Sequence, residues 1–131
     1  MQITPFLMYE GCAEEAMNFY ISIFPRARVI SVLRYGPNEV GREGTVKRAQ
    51  FEINATRMMC VDSAVVHDGA FSATPPVSLF VDCGKDDGME RIFERLSENG
   101  QVLMPPGNYG FSRKFAWTQD KYGVSWQLNL H

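Results

Sequence analysis

The feature that most constrains the fold of this chain is a repeat of the order in which its strands and helices are predicted. When the first half is moved forward by 72 positions, Leu7 falls on Leu79 and Met17 on Met89. A shift of 68 positions places segment 56–62 on segment 124–130. The identities are few, but the element order agrees throughout. We therefore expect one domain over residues 1–131 with two similar halves, 1–63 and 77–131, each burying one face of a sheet under its helix.

Hydrophobic periodicity predicts one strand, one helix and three further strands in each half. In the first half, apolar residues at three- and four-residue spacing predict a helix at 13–24 that ends at Pro25, with strands at 3–9, 27–35, 45–53 and 56–62. In the second half, we expect a helix at 86–98 and strands at 77–83, 101–104, 111–118 and 124–130. Pro105-Pro106-Gly107 is expected to end the strand at 101–104, and residues 63–76 to form a linking loop.

Composition removes several classes of function. The formal net charge is −2, with 13 basic and 15 acidic residues, so the basic surplus of a nucleic-acid-binding protein is missing. No stretch approaches the ~20 apolar residues of a membrane-spanning helix. The three cysteines are widely spaced and odd in number, which argues against disulfides and structural zinc and favours a reducing cytoplasm.

Strand alternation predicts a polar face that could bind a small molecule. On the strand at 45–53, Arg48, Gln50 and Glu52 share one face, and on the last strand Gln127 lies opposite Trp126. The repeat aligns Met59 with Gln127 and Lys114 with Arg48. The predicted substrate-binding residues are Arg48, Gln50, Glu52, Met59, Lys114, Trp117 and Gln127. Alternatively, these are ordinary solvent-facing residues, and Trp117 and Tyr109 are core or dimer contacts rather than stacking platforms.

Three other candidates for catalytic groups are better explained by structural roles. Glu14 and Glu15 are neighbours on a helix and point apart, so they suit the helix dipole better than a catalytic pair. Cys60 has no histidine placed to activate it and is expected to be a buried thiol. Asp62 ends a strand and is expected to cap the turn that follows.

Several segments together resemble one family. They are ITPFL at 3–7, AEEAMNFY at 13–20, FP at 24–25, AQFEI at 49–53, MCVD at 59–62, VSLFV at 77–81 and DKYGVSWQ at 120–127. Nearly the whole chain is similar to the PhnB-like branch of the vicinal oxygen chelate superfamily, the glyoxalase and bleomycin-resistance group. This branch is often named 3-demethylubiquinone 3-methyltransferase. The resemblance implies an α+β fold of two βαβββ modules that form a cupped mixed sheet, and often a homodimer.

Metal-binding members of that superfamily hold a divalent ion in the cup, and this sequence departs from their pattern. Pro5, Gln50, Pro76 and Gln127 stand at or near the positions of the ligands, with Glu52 one pleat away from Gln50. Proline has no ligating side chain, and a neutral glutamine is a poor ligand for a catalytic ion. The only histidines are His67, in the predicted loop, and His131. We expect no metal and no cofactor, although a weak site near Glu52 stays open.

The resemblance leaves three functions to compare. The first is a protein that binds a small organic molecule in the cup without turning it over. The second is a glyoxalase- or dioxygenase-type enzyme on a small metabolite or xenobiotic, with Glu52 or Arg48 as acid, base or anion clamp. The third is the methyltransferase of the family's name, for which the sequence has no glycine-rich strand-to-helix turn to hold a nucleotide cofactor. We favour the first, in a cytoplasmic homodimer.

Overall fold

Each half of the chain folds as a strand, a helix and three further strands, in the order that the sequence predicted. The structure is a computed structural model that describes residues 1–64 and 76–131. The chain divides into two compact units, Met1–Asp68 (the first unit) and Gly69–His131 (the second unit). Residues 65–75 of the predicted linking loop, with His67, lie outside the described residues.

The first unit is a four-stranded mixed sheet with one helix. Its elements are β1 (Phe6–Tyr9), α1 (Ala13–Ile23), β2 (Ala27–Arg34), β3 (Val46–Ile53) and β4 (Thr56–Asp62). The strand order is β1-β4-β3-β2; β1 runs parallel to β4, and the other pairs are antiparallel. β1 is therefore an edge strand, and it is shorter than the predicted 3–9.

Helix α1 covers one face of this sheet with its apolar stripe. Ala16, Met17 and Tyr20 are buried, and the Tyr20 ring stacks on Phe51 of β3 with 6.4 Å between centroids. From β4, the Cys60 thiol lies 3.9 Å from the carbonyl oxygen of Ala13. Because side chains alternate along a strand, residues next to Phe51 and Cys60 must face away from the helix.

The second unit repeats this arrangement. Its elements are β5 (Ser78–Cys83), α2 (Met89–Ser97), β6 (Gln101–Gly107), β7 (Lys114–Gln119) and β8 (Ser125–Leu130). The strand order is β5-β8-β7-β6, with β5 parallel to β8. α2 buries Ile92, Phe93 and Leu96, and its Ser97 hydroxyl donates to Thr118 of β7 at 2.8 Å. Neither of the two described helices has the length and apolar composition that crossing a membrane requires.

Three predictions of extent were wrong in this unit. β7 begins at Lys114 rather than at residue 111. α2 begins at Met89 rather than at residue 86, because Gly88 has a left-handed φ of 72° that cannot belong to a right-handed helix. β6 continues through Pro105 and Pro106 to Gly107. Prolines are tolerated there because β6 is an edge strand with register shifts, so the missing N–H groups need not serve a second neighbouring strand.

Candidate functional site

The sheet of the first unit has a helix-free face that combines apolar and amide side chains. The strand register places Phe6, Met59, Gln50 and Ser31 in one row across all four strands. Phe6 is 53% exposed, whereas Gln50 and Met59 are half-buried. The amide of Gln50 forms no hydrogen bond with any described residue. This face therefore offers an apolar platform with an amide available to a ligand.

A charged row and a mixed row flank the first. Glu52 faces Arg28 on β2 and Arg57 on β4. The Arg28 Nε atom lies 3.6 Å from Glu52 Oε1, and the arginine is largely exposed, so this pair contributes at most about 1 kcal/mol to stability. On the other side, Arg48 is exposed and faces Leu33. The four residues predicted here, Arg48, Gln50, Glu52 and Met59, thus lie on one face.

The helix-free face of the second unit carries a row of two aromatic rings with an amide between them. The register aligns Phe80, Gln127, Trp117 and Met104 across the four strands. The Trp117 indole Nε1–H donates to Ser125 Oγ at 2.8 Å, and the Ser125 and Ser78 hydroxyl oxygens are 2.5 Å apart. This chain of bonds fixes the Trp117 ring, while the Gln127 amide forms no hydrogen bond within residues 1–64 and 76–131.

Lys114 does not share that face, so its predicted placement was wrong. It pairs with Leu130, and its ammonium binds Glu90 on helix α2, whereas Trp117 pairs with Gln127. Lys114 therefore lies on the helix-bearing face, and its ammonium is already neutralised. The alignment of the two halves was one residue off along this strand, and an offset of one residue exchanges the two faces of a sheet.

Two residues of these faces were missed by the sequence reasoning. Phe6 and Phe80 stand on the edge strands, 53% and 59% exposed, and belong to the same rows as Gln50 and Gln127. Their alternation with inward residues could have revealed them. By contrast, Tyr109 donates its hydroxyl to the Pro105 carbonyl oxygen at 2.6 Å and packs edge-on against Phe115.

Burial and hydrogen bonding shift the pKa values of several titratable groups near the helices. Burial raises the pKa of the Cys60 thiol to about 12, so no thiolate forms near neutral pH, in agreement with the predicted buried thiol. Burial likewise raises the pKa of Cys83 to about 11. The Glu14 carboxylate accepts two hydrogen bonds from the Arg34 guanidinium, at 2.7 and 2.6 Å, and these lower the pKa of Glu14.

Asp62 connects three parts of the first unit. The sequence predicted that it caps the turn that follows it, but its carboxylate partners among the described residues are backbone groups at the start of α1 and of β3. Its Oδ1 accepts the backbone N–H groups of Gly11 and Ala13 at 2.8 and 2.9 Å, and its Oδ2 accepts that of Val46 at 2.9 Å. A cavity of about 240 Å³ opens beside it, lined by Glu10, Gly11, Arg42, Thr45, Asp62, Ser63 and Ala64. Both carboxylate oxygens are occupied, so Asp62 has a structural role there.

The donor set for a metal is sparse. Among the residues that the structure describes, no group of three or more His, Cys, Asp or Glu side chains is placed to hold an ion. Pro5 offers only its backbone, and its carbonyl oxygen accepts the Met59 N–H at 2.9 Å. The outward-facing side chains nearest to it in the row include the Met59 thioether, a soft donor that hard divalent cations do not select, and the uncharged Gln50 amide.

Comparison with known proteins agrees with this architecture. A protein-family model described as 3-demethylubiquinone-9 3-methyltransferase matches residues 1–129. A solved PhnB protein from Bacillus cereus, provisionally given the same enzyme name, is 50% identical over 100% of both chains, with a TM-score of 0.92. No curated protein sequence matches the chain.

More distant structures share the fold alone. The fosfomycin resistance protein FosX from Listeria monocytogenes is 10% identical over 100% of this chain and 93% of its own, with a TM-score of 0.68. A glyoxylase/bleomycin resistance protein/dioxygenase domain from Frankia is 13% identical over 99% of this chain and 96% of its own, also with a TM-score of 0.68.

Proposed function

Because the chain belongs to the PhnB-like, 3-demethylubiquinone-9 3-methyltransferase family of the glyoxalase and bleomycin-resistance superfamily, we propose that it binds a small organic molecule on the helix-free faces of its sheets. One observation carries this proposal. Each of these faces has a row in which an exposed phenylalanine stands beside half-buried apolar and amide side chains. Small-molecule sites combine apolar surface with a few polar groups in this way.

The proposed binding faces of the two units, taken separately, contain six of the predicted residues. They are Arg48, Gln50, Glu52 and Met59 in the first unit and Trp117 and Gln127 in the second. Lys114 is left out because its ammonium is bound to Glu90. If these faces met only water, the amides of Gln50 and Gln127 would be hydrated. The exposed phenylalanine rings beside them would then keep apolar surface in contact with water, which is unfavourable in free energy. A bound ligand removes that cost.

We propose that binding requires neither a metal ion nor S-adenosylmethionine. Support comes from the neutral glutamines at two of the superfamily's ligand positions and from the sparse donor set. A Listeria FosX structure is described as a complex with Mn(II), so metal dependence occurs on this fold in another protein. Isothermal titration calorimetry with Zn²⁺, Ni²⁺, Mn²⁺ and Fe²⁺ checks this point. A tight one-to-one isotherm would contradict it.

The alternative is an enzyme on a small metabolite or xenobiotic. The observation in its favour is the charged row, in which Glu52 lies between Arg28 and Arg57 and could act as a base. Turnover by the wild type that is lost in Glu52→Gln but retained in Glu94→Gln would favour the enzyme. The methyltransferase of the family's name is tested by thermal shift with S-adenosylmethionine, for which we expect no stabilisation.

A ligand library screened by thermal shift, with and without a chelator, tests the main proposal. We expect hits whose stabilisation survives the chelator and falls at least fivefold in apparent affinity in Gln127→Ala or Gln50→Ala. Gln2→Ala, which makes the same change outside all strands and helices, serves as the control. Hits that bind all three variants equally would refute a site on these faces.

The cellular location and the oligomeric state of the protein are part of the same proposal. Cys12, Cys60 and Cys83 are free thiols, which suits the cytoplasm that we propose as its location. We also propose a homodimer, since β1 and β6 are edge strands that could pair with another copy. Sedimentation equilibrium measures the mass that decides between monomer and dimer.

A further inference from the structure

The row Phe80–Gln127–Trp117 has the spacing of a clamp for one planar ring. Phe80 and Trp117 are on strands β5 and β7, separated by the central strand β8 that carries Gln127. Neighbouring strands are about 4.8 Å apart, so the two aromatic residues are about 9 to 10 Å apart at their backbones. A ring stacked between two others needs about 7 to 8 Å between the outer planes. Side chains that lean slightly inward meet that distance.

The two walls of the clamp differ in rigidity. The indole of Trp117 is held by its hydrogen bond to Ser125, whose hydroxyl contacts that of Ser78. Phe80 is 59% exposed and can adjust. One fixed platform and one adjustable ring accept planar molecules of somewhat different width. A saturated ring, which is thicker, would force Phe80 away and would lose the face-to-face contact.

Gln127, which lies between the two aromatic residues of the clamp, determines which polar groups the edge of the ligand must carry. Gln127 presents an amide, which donates and accepts side by side, and this amide is unbonded among the described residues. The strand residues of this row and of the two flanking rows include no lysine or arginine, and in one flanking row the Asp82 carboxylate accepts a hydrogen bond from the Asn129 amide at 3.1 Å and contacts the His131 ring at 3.0 Å. An anionic ligand would therefore meet no lysine or arginine side chain in these three rows, because Lys114 lies on the opposite, helix-bearing face.

From this geometry we infer that the second unit binds a neutral, planar aromatic ring whose edge carries an adjacent hydrogen-bond donor and acceptor, as in a lactam. This inference rests on the proposed function and names the ligand class of that site. The ring stacks between Phe80 and Trp117, and its lactam N–H and C=O pair with the amide of Gln127. Ser125 and Ser78 act as positioning residues for Trp117.

Three probes separate the parts of this inference. 2-Quinolone is planar and carries an N–H beside a C=O; 1-methyl-2-quinolone lacks the donor; octahydroquinolin-2-one keeps the lactam but loses the planar ring. We expect 2-quinolone to bind about tenfold more tightly than either analogue, since one hydrogen bond or one aromatic pair is worth about that factor. Calorimetry measures the affinities.

The NMR resonances of the tryptophan indole N–H groups report where 2-quinolone binds. Trp117 and Trp126 give the only two such signals, and Trp117→Phe assigns them. Trp126 is buried and donates to Asp120 at 2.9 Å, so its signal is an internal control. We expect 2-quinolone to move the Trp117 signal and to leave that of Trp126 in place.

Two matched variants complete the test. Phe80→Leu should weaken 2-quinolone binding about threefold to tenfold. The same change at Phe111, which is 64% exposed against 59% for Phe80, should leave binding within twofold. Equal binding of 2-quinolone and its saturated analogue, or an unmoved Trp117 signal, would overturn the clamp. Library hits that still depend on Gln127 would in that case leave the proposed function standing, whereas the lack of any hit would refute the function itself.

Discussion

Replacing Asp62 by asparagine tests whether one buried carboxylate holds together the start of helix α1 and the start of strand β3. The two side chains have nearly the same volume, so the change creates no cavity. Asparagine offers one acceptor oxygen and one NH₂ group where aspartate offers two acceptors. If the asparagine oxygen still accepts the hydrogen bonds from the N–H groups of Gly11 and Ala13, its NH₂ group takes the place of Oδ2. Two hydrogen-bond donors, this NH₂ group and the N–H of Val46, then face each other.

The expected loss of stability follows from these three bonds. Hydrogen bonds to a charged group contribute about 1.5 to 3 kcal/mol each, against about 1 kcal/mol for neutral ones. Two bonds weaken to the neutral value, and the third is replaced by two donors in contact at a site that is 3% exposed. We therefore expect the free energy of unfolding to fall by about 3 to 5 kcal/mol, a large share of the 5 to 15 kcal/mol typical of a domain.

Urea unfolding followed by far-ultraviolet circular dichroism at pH 7 measures this difference. Asp86→Asn makes the same chemical change at an exposed position outside the helices and strands and should alter the free energy by less than about 0.5 kcal/mol. If Asp62→Asn lies within about 1 kcal/mol of the wild type with an unchanged denaturant slope, the carboxylate does not have the role assigned to it.

Three further predictions concern other parts of the fold. In native protein at pH 8, iodoacetamide should modify the half-exposed Cys12 first and leave Cys60 unmodified until urea is added, because burial raises the Cys60 pKa to about 12; mass spectrometry of peptides reports the order. Gly100→Ala should cost about 2 to 3 kcal/mol in urea unfolding, because the added Cβ would lie 2.2 Å from a backbone oxygen of the strand beside it. Glu14→Gln should cost at most about 1 kcal/mol at pH 7, and that cost should vanish as the pH falls below the lowered carboxyl pKa, since the arginine pair contributes only while the carboxylate is ionised; an equal cost at pH 3 would contradict the pair.

The outward face of the site could be predicted from the sequence because strand periodicity is local. Gln50 and Glu52 alternate with Phe51, so their shared face is read from three consecutive residues. The same reasoning failed for Lys114, since it depended on aligning two halves whose identities are few. Because the pleat has a period of two, an error of one residue placed Lys114 beside Trp117 instead of under helix α2.

The sequence by itself determined the order of elements in both units and the burial of their helix stripes, since both follow from residues three or four positions apart. Only the tertiary structure decided that Asp62 binds the start of helix α1, which precedes it by 49 positions, and that Phe80 and Trp117 flank Gln127. These contacts depend on which strands become neighbours and in which register. Strand pairing joins segments distant in the chain, and no local pattern of side chains specifies it.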